Sequence, residues 1–315
     1  MSIGAKEALE LLKAEGREFF ELMHTANTKR IENKGNEISL CGIVNAKSGL
    51  CGEDCSFCAQ SVHHDTDVKT YPLLGETEIL RAAREAQDNG VREFSIVTSG
   101  KGIRRKKEIE SLKKTISEIA KKLKLERCSS LGIVRRETLL ALKEAGLQSY
   151  HHNLETARSF FPKICTTRSY DENIKVVINA KELGLKVCCG GIFGMGESDE
   201  QIVEFVQTLN ELDIDSIPIN FLNPIPKTPL ANTNFLNPER CLKIIAVIRI
   251  LFPKKDIFVC GGREVNLRQL QPLIFLAGAN GMITGNYLTT KGRGYLADME
   301  MINDMGLKVK GYERT

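Results

Sequence analysis

Short apolar runs rich in Val, Ile and Leu alternate along this chain with longer stretches in which apolar positions recur every three or four residues. The first kind predicts buried strands at 37–45, 91–98, 126–133, 149–154, 185–192, 216–221, 257–261 and 281–287. The second kind predicts helices at 76–88, 107–122, 136–145, 171–183, 199–212, 238–251 and 268–277. Eight strands with helices between them predict an α/β fold, a (β/α)8 TIM barrel with an N-terminal helical leader, whose functional groups gather at the carboxyl ends of the strands. A doubly wound open sheet is the alternative that strand count alone leaves standing. Residues 1–36 read as the leader and 37–315 as the barrel domain. No repeat or low-complexity tract interrupts them.

Composition narrows the picture. A chain of 315 residues, 42% of them hydrophobic, can bury one large core without a second domain. The formal charge is only +4, and the basic runs at 101–107 and 254–255 are flanked by acidic residues or Pro, so they read as solvated faces and not as a nucleic-acid surface. The first twenty residues are amphipathic, with glutamates throughout and no apolar run, which argues against a secretory signal or membrane span and for a cytoplasmic protein. Ten cysteines in such a chain point to metals or catalysis more than to disulfides.

Three of them form the densest chemical signal. Cys51, Cys55 and Cys58 are spaced Cys-x3-Cys-x2-Cys, with Phe57 just before the last. Three thiolates can hold three irons of a 4Fe-4S cubane and leave the fourth open to a ligand. A zinc knuckle is the rival, and it lacks a well-spaced fourth ligand, because His63 and His64 lie too far along the loop. On the predicted fourth strand, alternation places His151, Asn153 and Glu155 on one face, a set suited to ribose hydroxyls or a urea-like group. The segment from Gly190 to Glu197, with Gly191 and Ile192 at its centre, carries four glycines and predicts close approach of backbone to a ligand, or else an ordinary strand-to-helix turn.

The three-cysteine run resembles the signature of radical S-adenosylmethionine enzymes. In those, the open iron chelates S-adenosylmethionine and an electron splits the sulfonium to a 5′-deoxyadenosyl radical. The wider resemblance is to the biotin synthase family, from about residue 20 to the C-terminus. Residues 46–61, 150–156, 166–168, 187–197, 218–220, 228–230, 262–264, 277–280 and 288–290 carry it. It implies sulfur insertion into desthiobiotin to form biotin. Under this resemblance Asn153 and Glu155 meet the ribose, and Asn173, Gly191 and Ile192 complete the cofactor site. Asn220 and His151 meet the ureido ring, while Thr289 and Thr290 receive the valeryl carboxylate. Three positions depart from the family's habit: Glu155 replaces a shorter aspartate, His151 an Asn, and Asn173 an Arg that usually faces the methionyl carboxylate.

The best-known members also hold an auxiliary 2Fe-2S cluster on three cysteines and an arginine. Cys128 and Cys188 occupy two of those positions, but the other two are Ser95 and Phe258. Cys41 and Cys260 stand instead where serines are usual, and Glu93 replaces a basic residue. The resemblance therefore implies a relocated auxiliary cluster on Cys41, Cys128 and Cys188. Three thiolates at one level suit a four-iron cluster, whose last iron takes Cys260 or an extra sulfide. Such a centre would be sensitive to oxygen. A flavodoxin- or ferredoxin-type electron donor and cluster-assembly proteins are the implied partners, with a homodimer left open. A related radical enzyme, of the hydrogenase maturase or methylornithine synthase type, is the alternative, and Asn220 with the Thr289–Thr290 pair favours biotin synthase.

Overall fold

The computed structural model describes residues 3–312, so positions 1–2 of the expected leader and 313–315 of the expected barrel domain lie outside the described residues. Two helices, α1 (Ala5–Leu12) and α2 (Gly16–Lys34), precede β1 (Glu37–Lys47). The chain then runs through α3 (Glu76–Asp88), β2 (Glu93–Thr98), α4 (Lys106–Lys122), β3 (Glu126–Ser130), α5 (Arg136–Glu144) and β4 (Ser149–His151). It continues through α6 (Tyr170–Glu182), β5 (Lys186–Cys188), β6 (Gly191–Phe193), α7 (Asp199–Glu211), β7 (Ser216–Phe221), α8 (Pro238–Leu251) and β8 (Asp256–Val259). The last elements are α9 (Arg263–Leu267), α10 (Leu273–Leu276), β9 (Gly281–Ile283), α11 (Tyr295–Asp304) and β10 (Lys308–Val309).

Every ladder is parallel, and β9 pairs back onto β1, so the sheet closes into a barrel and the open-sheet alternative falls away. The fifth stave is broken into β5 and β6. The short β10, which the apolar pattern does not announce, pairs with the start of β1 outside the ring. Expected strands run too long wherever the apolar run continues past a bend. The fourth stops at His151, and the eighth stops before Gly285, whose φ of +82° turns the chain. The helix expected over 268–277 is replaced by a 3-10 turn (Arg268–Leu270) and α10, which starts after Pro272, while α9 ends just before Arg268, whose φ is 51°.

Helix α8 is apolar on every side because it is covered twice. The barrel lies on one side and the leader helices α1 and α2 on the other. Its one fully buried cation, Arg249, has its N–H donors taken up by carbonyls. Nε donates to Gly278 O at 2.7 Å and Nη1 to the carbonyls of Phe252, Pro253 and Lys255, while Nη2 reaches Asn280 Oδ1. The leader is thus part of the packed core. Among the described residues no helix is long and apolar enough to cross a membrane.

The register defines layers inside the barrel. Cys41 pairs with Glu93, Ser95 with Cys128, Cys128 with Ser149, and His151 with Cys188. Cys188 pairs with Ser216, Pro218 with Phe258, Phe258 with Gly281, and Ile283 with Cys41. Each alternate strand is thus reached by a two-residue climb, and four climbs close the ring, which is the shear of about eight residues expected for such barrels. Cys41, Cys128, Cys188 and Phe258 therefore share one layer. Glu93, Ser149, Ser216 and Gly281 lie one layer below, towards the strand starts, and Ser95, His151, Pro218 and Ile283 one layer above.

The glycines at the break in the fifth stave serve packing. A Cβ on Gly190 would stand 2.1 Å from Pro218 O, and one on Gly191 would stand 2.3 Å from Glu155 O. Gly190→Ala is expected to cost about 1–3 kcal/mol of stability, read as a lowered midpoint in chemical denaturation. An unchanged midpoint would show that the backbone there has room to give.

Candidate active site

A cavity of about 430 Å³ runs down the barrel axis from the loops at the strand carboxyl ends to the cysteine layer. The loop after β1 brings Cys51, Cys55 and Cys58 to its wall. That loop is pinned by its own backbone and by the segment after β4. Cys51 N donates to Gln60 O and Cys58 N to Cys55 O, both at 2.9 Å, and Ser56 N reaches Ile164 O. Asp54 accepts from Thr166 N at 2.9 Å and from Thr167 Oγ1 at 3.1 Å. His63 and His64 turn to the carbonyls of Gly52 and Cys58, which leaves neither as the fourth ligand of a zinc knuckle.

Arg168 sits 3.3 Å from Cys55 Sγ and 3.4 Å from the buried Glu53 carboxylate. Cys165 Sγ lies 3.5 Å from Thr167 Oγ1, on the same segment as Arg168. Burial pushes the Cys58 thiol up to about 11. Arg168 and Glu53 are site residues that sequence reasoning missed. The segment 166–168 drew notice only through resemblance, and nothing in its spacing relates it to a loop more than a hundred positions earlier.

Asn153, Glu155 and Ile192 line the cavity as expected, but strand alternation does not bring them there, because β4 ends at His151. Glu155 instead adopts φ 72°, and burial raises its carboxyl, opposed by Arg168. Two expected cofactor residues stand off the cavity wall. Asn173 is fully buried off the cavity, where its Oδ1 faces His152 Nε2 at 3.2 Å. Gly191 lies behind Asn220, packed against Glu155.

Asn220 is held at both ends of its amide. Nδ2 donates to Gly191 O at 3.1 Å, and Oδ1 accepts from Gly261 N at 3.0 Å. One N–H and one lone pair stay free, a donor beside an acceptor. Thr289 and Thr290 line the cavity with Tyr287 and Leu288, in a segment fastened by Asn45 Nδ2 to Leu288 O and by Tyr287 OH to Glu264. Glu264 is in turn tied to the buried Arg263–Asp298 pair.

Deeper in, Cys41, Cys188 and Cys260 line the cavity, with Phe258 filling the fourth corner of the cysteine layer. Cys260 lies just past the end of β8, two residues beyond Phe258 on the same wall. Cys128 does not reach the cavity surface. Its Sγ lies with a Glu93 carboxylate oxygen and a His151 ring nitrogen, all within 4.8 Å of one another. The expectation for His151 shifts accordingly. Its strand position, one layer above the cysteines, sets it beside Cys128 and Glu93 and below the level of Asn220.

Burial raises all four of these thiols, Cys188 to about 12, and lowers the His151 imidazole to about 4. Burial, then the nearby Glu126 and Asp256, lifts the Glu93 carboxyl to about 7. Cys189 and Cys241 pack in the hydrophobic core away from the cavity.

The donor chemistry divides in two. Among the described residues, Glu93, Cys128 and His151 are the one trio spaced for a single ion. The loop thiols stand wider than ligands of one zinc, whose bonds of about 2.3 Å would draw sulfurs to within about 4 Å. Three cavity-facing thiols at that spread suit a polynuclear cluster with one open iron.

Comparison with known proteins agrees with this layout. Residues 47–209 match the Radical SAM superfamily, and residues 218–308 match the Biotin and Thiamin Synthesis associated domain. The chain is 51% identical over 310 residues to the biotin synthase of Pelobacter propionicus, covering 98% of this chain and 94% of that one. It is 52% identical over 304 residues to the biotin synthase of Geobacter sulfurreducens, covering 96% and 92%. The fold is shared with crystalline methylornithine synthase (TM-score 0.84, 21% identity, 98% and 94% covered). It is shared too with the FeFe-hydrogenase maturase of Carboxydothermus hydrogenoformans (TM-score 0.82, 16% identity, 97% and 75% covered). At those identities the likeness is one of fold.

Proposed function

Since the chain belongs to the biotin synthase family, we propose that its cavity is where S-adenosylmethionine and desthiobiotin meet and where sulfur is inserted to form biotin. The chain is a radical S-adenosylmethionine sulfurtransferase that uses a 4Fe-4S cluster, S-adenosylmethionine and an auxiliary iron–sulfur cluster. When bound, these groups supply hydrogen abstraction from unactivated carbon and the sulfur atom itself. The observation that carries the placement is the order of groups along one cavity: a thiol loop near its mouth, the half-committed amide of Asn220 below, and a thiol layer at its floor.

Cys51, Cys55 and Cys58 would hold the radical cluster, with Arg168 balancing charge at Cys55. Asn153 and Glu155 would hold ribose hydroxyls, with Ile192 as an apolar wall and Asn173 and Gly191 one step behind, fixing His152 and Asn220. The free donor and acceptor of Asn220 match the C=O and N–H of a ureido group. Thr289 and Thr290 would receive the carboxylate, positioned by the Tyr287–Glu264–Arg263 chain of contacts. Ile43, Val97, Ile133, Ile225 and Ile283 close the remaining walls against water. Cys41, Cys128 and Cys188, with Cys260 above Phe258, would hold the auxiliary cluster.

We further propose a leader over 1–36 and one catalytic domain over 37–315, because strands from both family matches complete a single ring. A flavodoxin- or ferredoxin-type donor and cluster-assembly proteins are the proposed partners.

Asn220→Ala tests the substrate site. A desthiobiotin ureido group left without its partners should bind about tenfold or more weaker, while uncoupled cleavage of S-adenosylmethionine persists. Equilibrium binding of desthiobiotin checks this, and unchanged affinity would move the substrate off Asn220.

A further inference from the structure

Three different donor types meet on the wall of the cysteine layer. Glu93 opens β2, Cys128 lies within β3 and His151 closes β4, so three neighbouring strands each contribute one side chain. Their oxygen, sulfur and nitrogen atoms lie within 4.8 Å of one another. Bonds of about 2.0–2.3 Å from one metal to such atoms need separations of this order. His151 Nε2 is buried and has no hydrogen-bond partner, an unusual state for an imidazole nitrogen unless something else occupies it.

The donors also specify the charge. A dication with one carboxylate, one thiolate and one neutral imidazole sums to zero, which suits a place screened from water. A set containing thiolate and imidazole selects a first-row transition metal over magnesium or calcium.

We propose that Glu93, Cys128 and His151 form a binding site for one divalent transition-metal ion, ferrous iron in the working enzyme, through which iron enters the auxiliary centre. The proposal rests on the reading that Cys128 belongs to that centre. Cys128 then acts twice. It takes the first iron together with the carboxylate and imidazole, releasing its thiol proton to solvent. It keeps that iron when Cys41 and Cys188 of the same layer complete the cluster. Glu93 and His151 line the cavity, one layer below and one layer above the cysteines, so an ion reaching this depth meets His151 first and is held between it and Glu93 against Cys128. That order explains a carboxylate and an imidazole inside an otherwise apolar and thiol-lined floor.

The test uses the full chain with Cys51, Cys55 and Cys58 all changed to Ala, free of iron, titrated anaerobically with Co(II). One Co(II) per chain is expected, with a thiolate-to-cobalt charge-transfer band and the strong visible bands of a four-coordinate site. Loss of an outer partner of a metal ligand typically costs 10–100-fold in affinity, so Glu93→Gln and His151→Gln should each weaken binding by at least about tenfold. Cys41→Ser and Cys260→Ser should leave it unchanged, and Fe(II) should compete.

Binding that survives Glu93→Gln and His151→Gln but is lost in Cys41→Ser puts the ion on the thiol layer. That outcome overturns the proposal and leaves the auxiliary-cluster reading intact. Binding by the trio in a chain that never assembles a second cluster overturns the role in iron entry along with the placement of Cys128 in the auxiliary centre, and leaves only a mononuclear metal site. Absence of any Co(II) site in protein with unchanged circular dichroism also overturns the proposal. Should the triple variant not fold, the wild-type chain stripped of iron, compared with its Glu93→Gln counterpart, decides the matter.

Discussion

Cys55→Ala will abolish reductive cleavage of S-adenosylmethionine and remove about four irons per chain, the content of one cubane. The reason is geometric as well as chemical. Cys55 is the buried member of the loop trio and the one that Arg168 approaches, so its loss removes a ligand and leaves Arg168 with Glu53 as its remaining partner at the loop. Cys165 is a buried thiol on the segment that clasps the loop, next to Thr166 and Thr167, and is the one to exclude as a substitute. The experiment therefore includes Cys55→Ala with Cys165→Ala, and Cys165→Ala alone as the control that keeps its cluster. Iron and sulfide counts on anaerobically reconstituted protein, with product analysis for cleavage, supply the readout. Wild-type cleavage in the double variant would end the assignment of this loop to the radical cluster.

Cys41→Ser will separate sulfur insertion from radical generation. Cys41 shares a layer with Cys128 and Cys188, and no other side chain of that layer is a metal ligand, because the fourth corner is Phe258. Removing one of three thiols should lower iron from about eight per chain to about four. Biotin formation should stop while cleavage of S-adenosylmethionine continues at the loop. A variant that keeps about eight irons and forms biotin at the wild-type rate would make Cys41 a packing residue and move the sulfur source elsewhere. Mössbauer spectra of both proteins would show directly which iron population is lost.

Much of this architecture was legible in the sequence because its signals are local. The 3.6-residue period of α3, the Pro and Asn at the start of α8, and the eight-residue cysteine run each carry their meaning within a dozen positions. What escaped was set by distance in space. Arg168 reaches the cysteine loop only because Asp54 clasps Thr166 and Thr167, and no period in the sequence encodes that clasp. The alternation argument for Asn153 and Glu155 named residues that do line the cavity but by the wrong route, since the chain has already left the strand and Glu155 has a positive φ. The glycines at 190 and 191 predict either room for a ligand or an ordinary turn. The same lack of side chains instead lets β7 and the Glu155 backbone close in. His151 lines the same cavity as Asn220, but strand position fixes a face and not a level. The level follows from the barrel's shear, which appears only when the ring closes.

Phe258 does more than close a corner. A Cβ on Gly281 would stand 2.6 Å from the Phe258 ring, so the aromatic side chain exists there on condition that position 281 has none. The two positions form a locked pair on adjacent strands. For descent within this family, that makes the cysteine layer hard to leave by single steps. A side chain gained at 281 collides while Phe258 remains, and a slimmer residue at 258 opens a void that nothing at 281 fills. A four-ligand floor is reached by replacing Phe258 alone, but that step gives up the aromatic packing against Gly281 and leaves its space unfilled.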